Sequence, residues 1–166
     1  WYGHDPYSLL TAPVSQKSKF CSFVYHSHVR PRENLCNQLM KYKKIDCLGR
    51  SLNNGTSNKL ANRYDTSGWG TSNIEALKPY KFNLAIENQP LSGYLTEKIW
   101  WAFLSRTVNL YWGDPTVYDS FNRGSFLCRD DFASERQFIN AIIELDQDDS
   151  LIDKNHLIDF LKIIKI

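Results

Sequence analysis

Four side chains suited to an oxygen-rich anion fall within eleven residues: Asn88, Tyr94, Glu97 and Lys98. An amide and a phenol bond phosphate or sugar oxygens, a carboxylate accepts from hydroxyls, and an ammonium balances negative charge. Lys98 is the unusual member, because the residues around it open a helix. A cation in a first turn opposes the helix dipole by ~0.3–1 kcal/mol. A surface tolerates that cost, and an anion seated at the helix end makes the cation favourable. The stretch therefore reads either as a solvated first turn with a Glu97–Lys98 pair or as a phosphate site with Lys98 as counter-ion. Arg30 and Arg32 stand upstream, again where a strand gives way to a helix. A planar guanidinium makes two hydrogen bonds to phosphate at once; the plainer reading is a pair of solvated loop arginines. His26 and His28 form an H-x-H pair. With no third ligand in the pattern, no metal site is expected, and a loop or phosphate-facing role stands in its place.

Periodicity supplies the elements that position these groups. Lys81–Glu87 alternates Phe82, Leu84 and Ile86 with Asn83, Ala85 and Glu87, as a strand does. Asn88–Gly93, with Pro90 and Gly93, reads as a loop. From about Thr96 the period lengthens, and Leu95, Ile99, Ala102 and Phe103 share one helical face. Thr107–Trp112 is the next strand, stopped by Gly113, Asp114 and Pro115. Such a strand–loop–helix–strand unit builds parallel sheet. Open parallel sheets take ligands at the carboxyl ends of their strands, with helix N-termini as anion sites.

Upstream, Phe20–Tyr25 reads as a buried strand, His26–Pro31 as a loop, Glu33–Tyr42 as a helix and Ile45–Leu48 as a short strand. Arg50–Gly70 lacks a period, which fits either a functional loop over the same sheet edge or solvated disorder. Thr71 or Ser72 is expected to cap a helix holding Ile74, Leu77 and Tyr80. Downstream come a short helix over Thr116–Phe121, a strand over Ser125–Arg129 and a helix over Ser134–Leu145. Leu157, Phe160, Leu161 and Ile164 mark a last helix, whose wide apolar face either docks on a partner domain or covers the sheet. Trp112-Gly113-Asp114 reads equally as pocket lining or as a turn signal.

With 166 residues, 42% of them hydrophobic, the chain has the content for one compact domain or for half of a larger enzyme. No apolar run approaches the ~20 residues that span a bilayer, and no basic-then-apolar leader pattern opens the chain. Residues 1–63 hold ten Lys and Arg against three Asp and Glu, whereas the remainder holds ten against fifteen. A basic front half suggests an anionic ligand. Cys21, Cys36, Cys47 and Cys128 are widely spaced without a C-x-x-C, so buried free thiols in a reducing cytoplasm are expected.

Lys81-Phe82-Asn83-Leu84-Ala85-Ile86-Glu87-Asn88, then Tyr94-Leu95-Thr96-Glu97-Lys98, then Tyr111-Trp112-Gly113 together resemble the donor-binding signature of the α-1,3-fucosyltransferases, family 10 of the glycosyltransferases. The resemblance covers roughly Phe20 to Phe132 and is strongest over Lys81–Phe126. Two departures stand out. Ile86 replaces the usual aromatic before Glu-Asn, and Gln89-Pro90 stands where members often carry Ser and no proline, which alters the loop path. The resemblance implies an α/β, Rossmann-like, mainly parallel sheet with helices on both faces, the C-terminal half of a two-domain GT-B enzyme. Residues 1–18 are then a linker and 19–166 the GDP-fucose-binding domain. The implied reaction moves L-fucose from GDP-fucose to a hydroxyl of an N-acetylglucosamine-containing glycan with inversion. Arg32, Asn88, Tyr94, Glu97 and Lys98 bind the donor, with Arg32, Glu97 and Lys98 the catalytic set and no metal or other cofactor required. Arg30 is auxiliary, and Glu87 suits a structural or donor-side role. The acceptor base and the acceptor itself belong to an N-terminal half expected to be absent here. A cytoplasmic location is expected, membrane-associated in the full-length protein or in the Golgi lumen if eukaryotic. Two other functions remain open on the residues alone: a non-catalytic nucleotide or sugar-nucleotide module, and a nucleic-acid-binding domain using the basic front half. The donor reading carries no nucleic-acid partner and no membrane segment.

Overall fold

The computed structural model describes residues 16–55 and 69–148. Its elements are β1 (Lys19–Phe23), α1 (Arg30–Leu39), β2 (Ile45–Cys47), α2 (Trp69–Leu77), β3 (Tyr80–Ile86), α3 (Glu97–Leu104), β4 (Val108–Trp112), β5 (Leu127–Cys128) and α4 (Glu135–Gln147). Three 3-10 turns, Val117–Asp119, Arg123–Ser125 and Arg129–Asp131, bracket β5. The strands form one parallel sheet in the order β2-β1-β3-β4-β5. Register pairs Cys21 with Phe82, and Ile86 with Trp112.

Both faces of the sheet are covered, as parallel sheets require. On one face Leu35, Cys36 and Leu39 of α1 and Phe138 and Ile142 of α4 pack on Phe82, Leu84, Ile86 and Leu110. On the other, Ile99 and Phe103 of α3 meet Ala85 and Tyr111, with Phe121 and Phe126 closing the cluster. The alternation along Lys81–Glu87 is thus a two-face pattern and not a core-and-solvent one. Asn83 and Ala85 are buried as fully as Phe82 and Leu84. The Asn83 amide oxygen is satisfied by the Ser22 hydroxyl at 2.9 Å, which keeps a polar group tolerable between two central strands.

Several boundaries differ from the periodic pattern. α1 begins at Arg30, with Pro31 in its first turn, where the fixed proline φ is preorganised for a helix and the missing N–H forfeits no intrahelical hydrogen bond. Arg30 and Arg32 are therefore inside the helix and not in a loop before it. α2 begins at Trp69, so neither Thr71 nor Ser72 caps it, and Tyr80 opens β3 instead of closing a helix. In place of the helix expected over Thr116–Phe121 there is one 3-10 turn, Val117–Asp119. α4 is capped by Ser134, which stood inside the expected helix: its Oγ accepts from Gln137 N at 3.2 Å, and Gln137 Oε1 accepts from Ala133 N at 3.0 Å. All four cysteines are buried free thiols. No helix among the described residues is long and apolar enough to cross a membrane. Residues 1–15 of the expected 1–18 linker, residues 56–68 of the expected loop and the helix expected around Leu157 lie outside the described residues.

Candidate functional site

From β1 the chain runs to β2 at one edge of the sheet; from β3 it runs to β4 and β5 at the other. The adjacent carboxyl ends of β1 and β3 therefore form a topological switch point, where an open crevice is unavoidable. α1 follows β1 and α3 follows β3, so two helix N-termini flank that crevice from opposite faces. Each brings a cation to the crevice from its first turn: Arg32 from α1, beside the exposed Arg30, and Lys98 from α3.

Glu87 and Asn88, the two residues directly after β3, each hold one of these cations. Successive residues of an extended chain point to opposite faces, which is how neighbours in sequence serve helices on opposite sides. Asn88 Oδ1 accepts from Arg32 Nη2. Glu87 Oε2 accepts from Lys98 Nζ at 2.8 Å. Glu87 N donates to Trp112 O at 2.8 Å, so the backbone pairing runs one residue past the strand and fixes the carboxylate in place.

Arg32 is almost wholly buried for an arginine, at 2% exposure. Its guanidinium lies 4.0 Å from the centre of the Tyr25 ring, a cation–π contact. Tyr25 is itself immobilised: its hydroxyl donates to Leu84 O at 2.7 Å and accepts from Ile86 N at 2.5 Å. Burial, foremost, works against the Arg32 charge, while Tyr25, Glu87 and Tyr94 partly support it. Arg32 Nε finds no acceptor among the described residues.

Lys98 sits in a ring of three groups. Glu87 Oε1 accepts from Thr96 N at 3.0 Å and lies 2.7 Å from Thr96 Oγ1, and Lys98 Nζ donates to Thr96 Oγ1 at 2.7 Å. Glu97 approaches only to 3.9 Å and keeps 43% of its side chain exposed. The Glu97–Lys98 pair is present but long, and the carboxylate that grips the ammonium is Glu87, at 2.8 Å and with no exposure at all. Glu97 stays open to solvent beside it, free to accept from hydroxyls.

The loop between β3 and α3 closes the floor. Asn88 Nδ2 donates to Tyr94 OH at 3.4 Å, which links Arg32, Asn88 and Tyr94 in one chain. Gly93, at φ +76°, takes the left-handed conformation that favours glycine, and its N–H donates to Asp114 Oδ1 at 3.0 Å. The same oxygen accepts from Thr116 N and Oγ1. Asp114 thus anchors the loop. Gly113 leaves space for Glu87: a Cβ there would stand 2.5 Å from Glu87 Cγ. Trp112-Gly113-Asp114 consequently shapes the site from behind. His28 bonds Glu33 at 2.8 Å through Nδ1, and Glu33 accepts from Ser51 Oγ at 2.6 Å. Among the described residues no three His, Cys, Asp or Glu side chains gather where they could hold a metal ion.

The fold thus brings Arg32, Asn88, Tyr94, Glu97 and Lys98 to one crevice, with Arg30 exposed at the start of α1. Of the residues that hold them, Thr96 lies within the Tyr94–Lys98 motif, whereas Tyr25 is legible only as the end of an apolar strand and Asp114 only as part of a turn signal. Glu87 is legible as a carboxylate in the Lys81–Asn88 motif suited to a structural or donor-side role, but its partner Lys98 is not.

The model of the glycosyltransferase family 10 (fucosyltransferase) C-terminal domain matches residues 14–156. An α-(1,3)-fucosyltransferase, FucT, of Helicobacter pylori is 43% identical over 79 residues, covering 47% of this chain and 16% of that protein. GDP-fucose protein O-fucosyltransferase 3 of Canis lupus familiaris is 34% identical over 125 residues, covering 74% and 26%. A crystal structure of an α1,3-fucosyltransferase with GDP-fucose superposes at a TM-score of 0.69 with 31% identity, over 95% of this chain and 40% of that one. The chain spans well under half the length of these relatives.

Proposed function

The chain belongs to glycosyltransferase family 10, the fucosyltransferases, by its C-terminal domain, and we propose that its β1–β3 crevice binds GDP-fucose as the donor for inverting fucosyl transfer. The observation that carries this reading is the pairing of Arg32 and Lys98 at two helix N-termini on either side of one switch point. A pyrophosphate has two charged ends to engage, and the crevice offers two cations with two sets of free helix N–H groups. Likeness to a solved α1,3-fucosyltransferase with GDP-fucose supports the choice of donor.

The chemistry is electrostatic. As the bond to fucose breaks, charge develops on the leaving GDP. Arg32 and Lys98 are already oriented by Asn88 and Glu87, so little reorganisation is needed when that charge appears. Glu97, exposed at the first turn of α3, accepts from ribose hydroxyls. Tyr94 and Asn88 bond phosphate or sugar oxygens.

Inversion needs a base that deprotonates the acceptor. Glu87 is enclosed and engaged with Thr96 and Lys98, which unsuits it for that step. We assign the base and the acceptor to an N-terminal half of the full-length enzyme. The acceptor proposed is an N-acetylglucosamine-containing glycan. A protein hydroxyl is the second reading, favoured by the likeness to a protein O-fucosyltransferase.

Calorimetric titration tests the donor. GDP is expected to bind more tightly than UDP or ADP without added metal, and equal affinity for all three would reduce the crevice to a generic phosphate site. A product assay with GDP-fucose tests the division of labour, offering N-acetyllactosamine and a Ser/Thr-containing polypeptide separately. The 166-residue chain is expected to bind donor yet transfer little, and a longer protein carrying the N-terminal half to transfer to one acceptor. Comparable turnover in both would return the base to this chain.

A further inference from the structure

In the donor chemistry above Glu87 acts only through Lys98, and its carboxylate is fully enclosed. An ionised carboxylate is kept out of water only where its oxygens are well paired. Here the partners are two residues at the start of α3. Oε1 accepts from Thr96 N at 3.0 Å, Oε2 accepts from Lys98 Nζ at 2.8 Å, and the Thr96 hydroxyl lies within 2.9 Å of both oxygens. That hydroxyl has one proton for the carboxylate and a lone pair for Lys98, which donates to it at 2.7 Å. Glu87, Thr96 and Lys98 therefore close a ring. An ammonium has three protons. Two are committed inside the ring, and the next carboxylate, Glu97, stands 3.9 Å away. The third proton is left for whatever occupies the crevice.

The backbone behind the ring is shaped for it. At Gly113 a Cβ would stand 2.6 Å from Glu87 Cβ and 2.5 Å from Cγ, so the carboxylate stem fills the space a side chain would need. Resting on the donor reading above, we propose that Glu87 is a positioning residue: with Thr96 it fixes two protons of the Lys98 ammonium so that the third is presented to the donor phosphate. The role has an opposing effect built in. A carboxylate close to a phosphate repels it, so a Glu87 that contributed charge alone would weaken nucleotide binding, and its removal would tighten it.

The sign and the dependence on Lys98 decide the matter. Glu87→Gln keeps the shape and an acceptor for Thr96 while removing the charge. GDP affinity is expected to fall about tenfold, the scale of one charged hydrogen bond, with guanosine affinity changed by less than about twofold. In a Lys98→Gln background the same replacement is expected to alter GDP affinity by less than about twofold, because coupled residues do not add. Tighter GDP binding, an equal loss for guanosine, or an undiminished loss without Lys98 overturns the proposal. Thr96→Val leaves both charges and removes the bridge. It is expected to weaken GDP about threefold with the same dependence on Lys98, and it decides the question if circular dichroism shows Glu87→Gln unfolded. A nucleotide-free measurement separates this proposal from the donor reading. Acetylation of Lys98 by acetic anhydride, read by peptide mass spectrometry against exposed Lys41, should run severalfold faster in Glu87→Gln than in the wild type. Equal rates overturn the ring whether or not GDP binds. Faster acetylation in a protein that binds no GDP removes the donor reading and leaves Lys98 held by Glu87.

Discussion

Arg32 and Lys98 are expected to matter in proportion to the phosphate charge that reaches them. Arg32→Ala and Lys98→Ala should each weaken GDP by ~1.5–3 kcal/mol, the range of a charged hydrogen bond, and weaken guanosine far less. Calorimetry with both ligands checks this; similar losses for the two would mean that these residues shape the pocket. Stability should part the two variants. Lys98→Ala strands the enclosed Glu87 carboxylate, and an unpaired buried charge costs on the order of 3 kcal/mol. Arg32→Ala strands only the neutral Asn88 amide. Urea unfolding should therefore find Lys98→Ala the less stable. Residue types and spacing were enough to single out Asn88, Tyr94, Glu97 and Lys98, because they crowd one short stretch. Spacing could not reveal what holds Lys98. Glu97 is adjacent in sequence and was the natural partner to expect, whereas Glu87 stands on a different element and faces Lys98 only once the loop has folded back.

At the scale of elements, α3 has to be held in place by others. A helix of eight residues does not persist alone in water. Ile99 and Phe103 seat it on the sheet against Ala85 and Tyr111, Phe103 stacks on Phe121 with ring centres 5.5 Å apart, and Asn109 Nδ2 donates to Ile99 O at 3.1 Å. Phe103→Ala is expected to cost ~3–5 kcal/mol in urea unfolding. Because the helix carries Lys98, the variant should also lose GDP affinity while it remains folded; an unchanged affinity would mean that the loop alone sets Lys98. β1 was legible as an apolar run, β3 by its alternation, and α3 and α4 by apolar residues recurring at helical spacing. The starts of α1 and α2 were not. α1 opens on Arg30, Pro31 and Arg32 ahead of its apolar residues, and a stripe of buried side chains cannot mark a turn that precedes it. At α2, Thr71 and Ser72 have the composition of caps but lie within a helix already begun at Trp69.

Across the whole molecule, Asp46, Asp114 and Asp146 are all held below the ordinary aspartate range. Burial is the largest influence on each and raises it, but hydrogen bonds outweigh it: from Tyr80, Lys19 and Lys44 to Asp46, from Thr116 and Gly93 to Asp114, and from Lys43 and Tyr42 to Asp146. A depressed folded value means that the unfolded chain binds more protons in acid. The stabilisation is then complete above the unfolded value near ~3.9 and is lost as pH falls through the folded ones. The urea midpoint should hold level from neutrality to about pH 5 and drop below about pH 4, and Asp114→Asn should flatten part of that drop. The strand order has a kinetic side as well. β3, α3 and β4 are near neighbours in sequence, but the Ser22–Asn83 bond spans 61 positions and the Arg32–Asn88 bond 56. Closing such loops costs entropy before any contact repays it, so the β1–β3 seam should be the last part of the sheet to join. In stopped-flow refolding, capture of a fluorescent GDP analogue should return with the slowest phase and never ahead of it. A nucleotide gripped by Arg32 on one side and Lys98 on the other would then act as a clasp, slowing the reopening of the one seam where the two halves of the sheet are furthest apart along the chain.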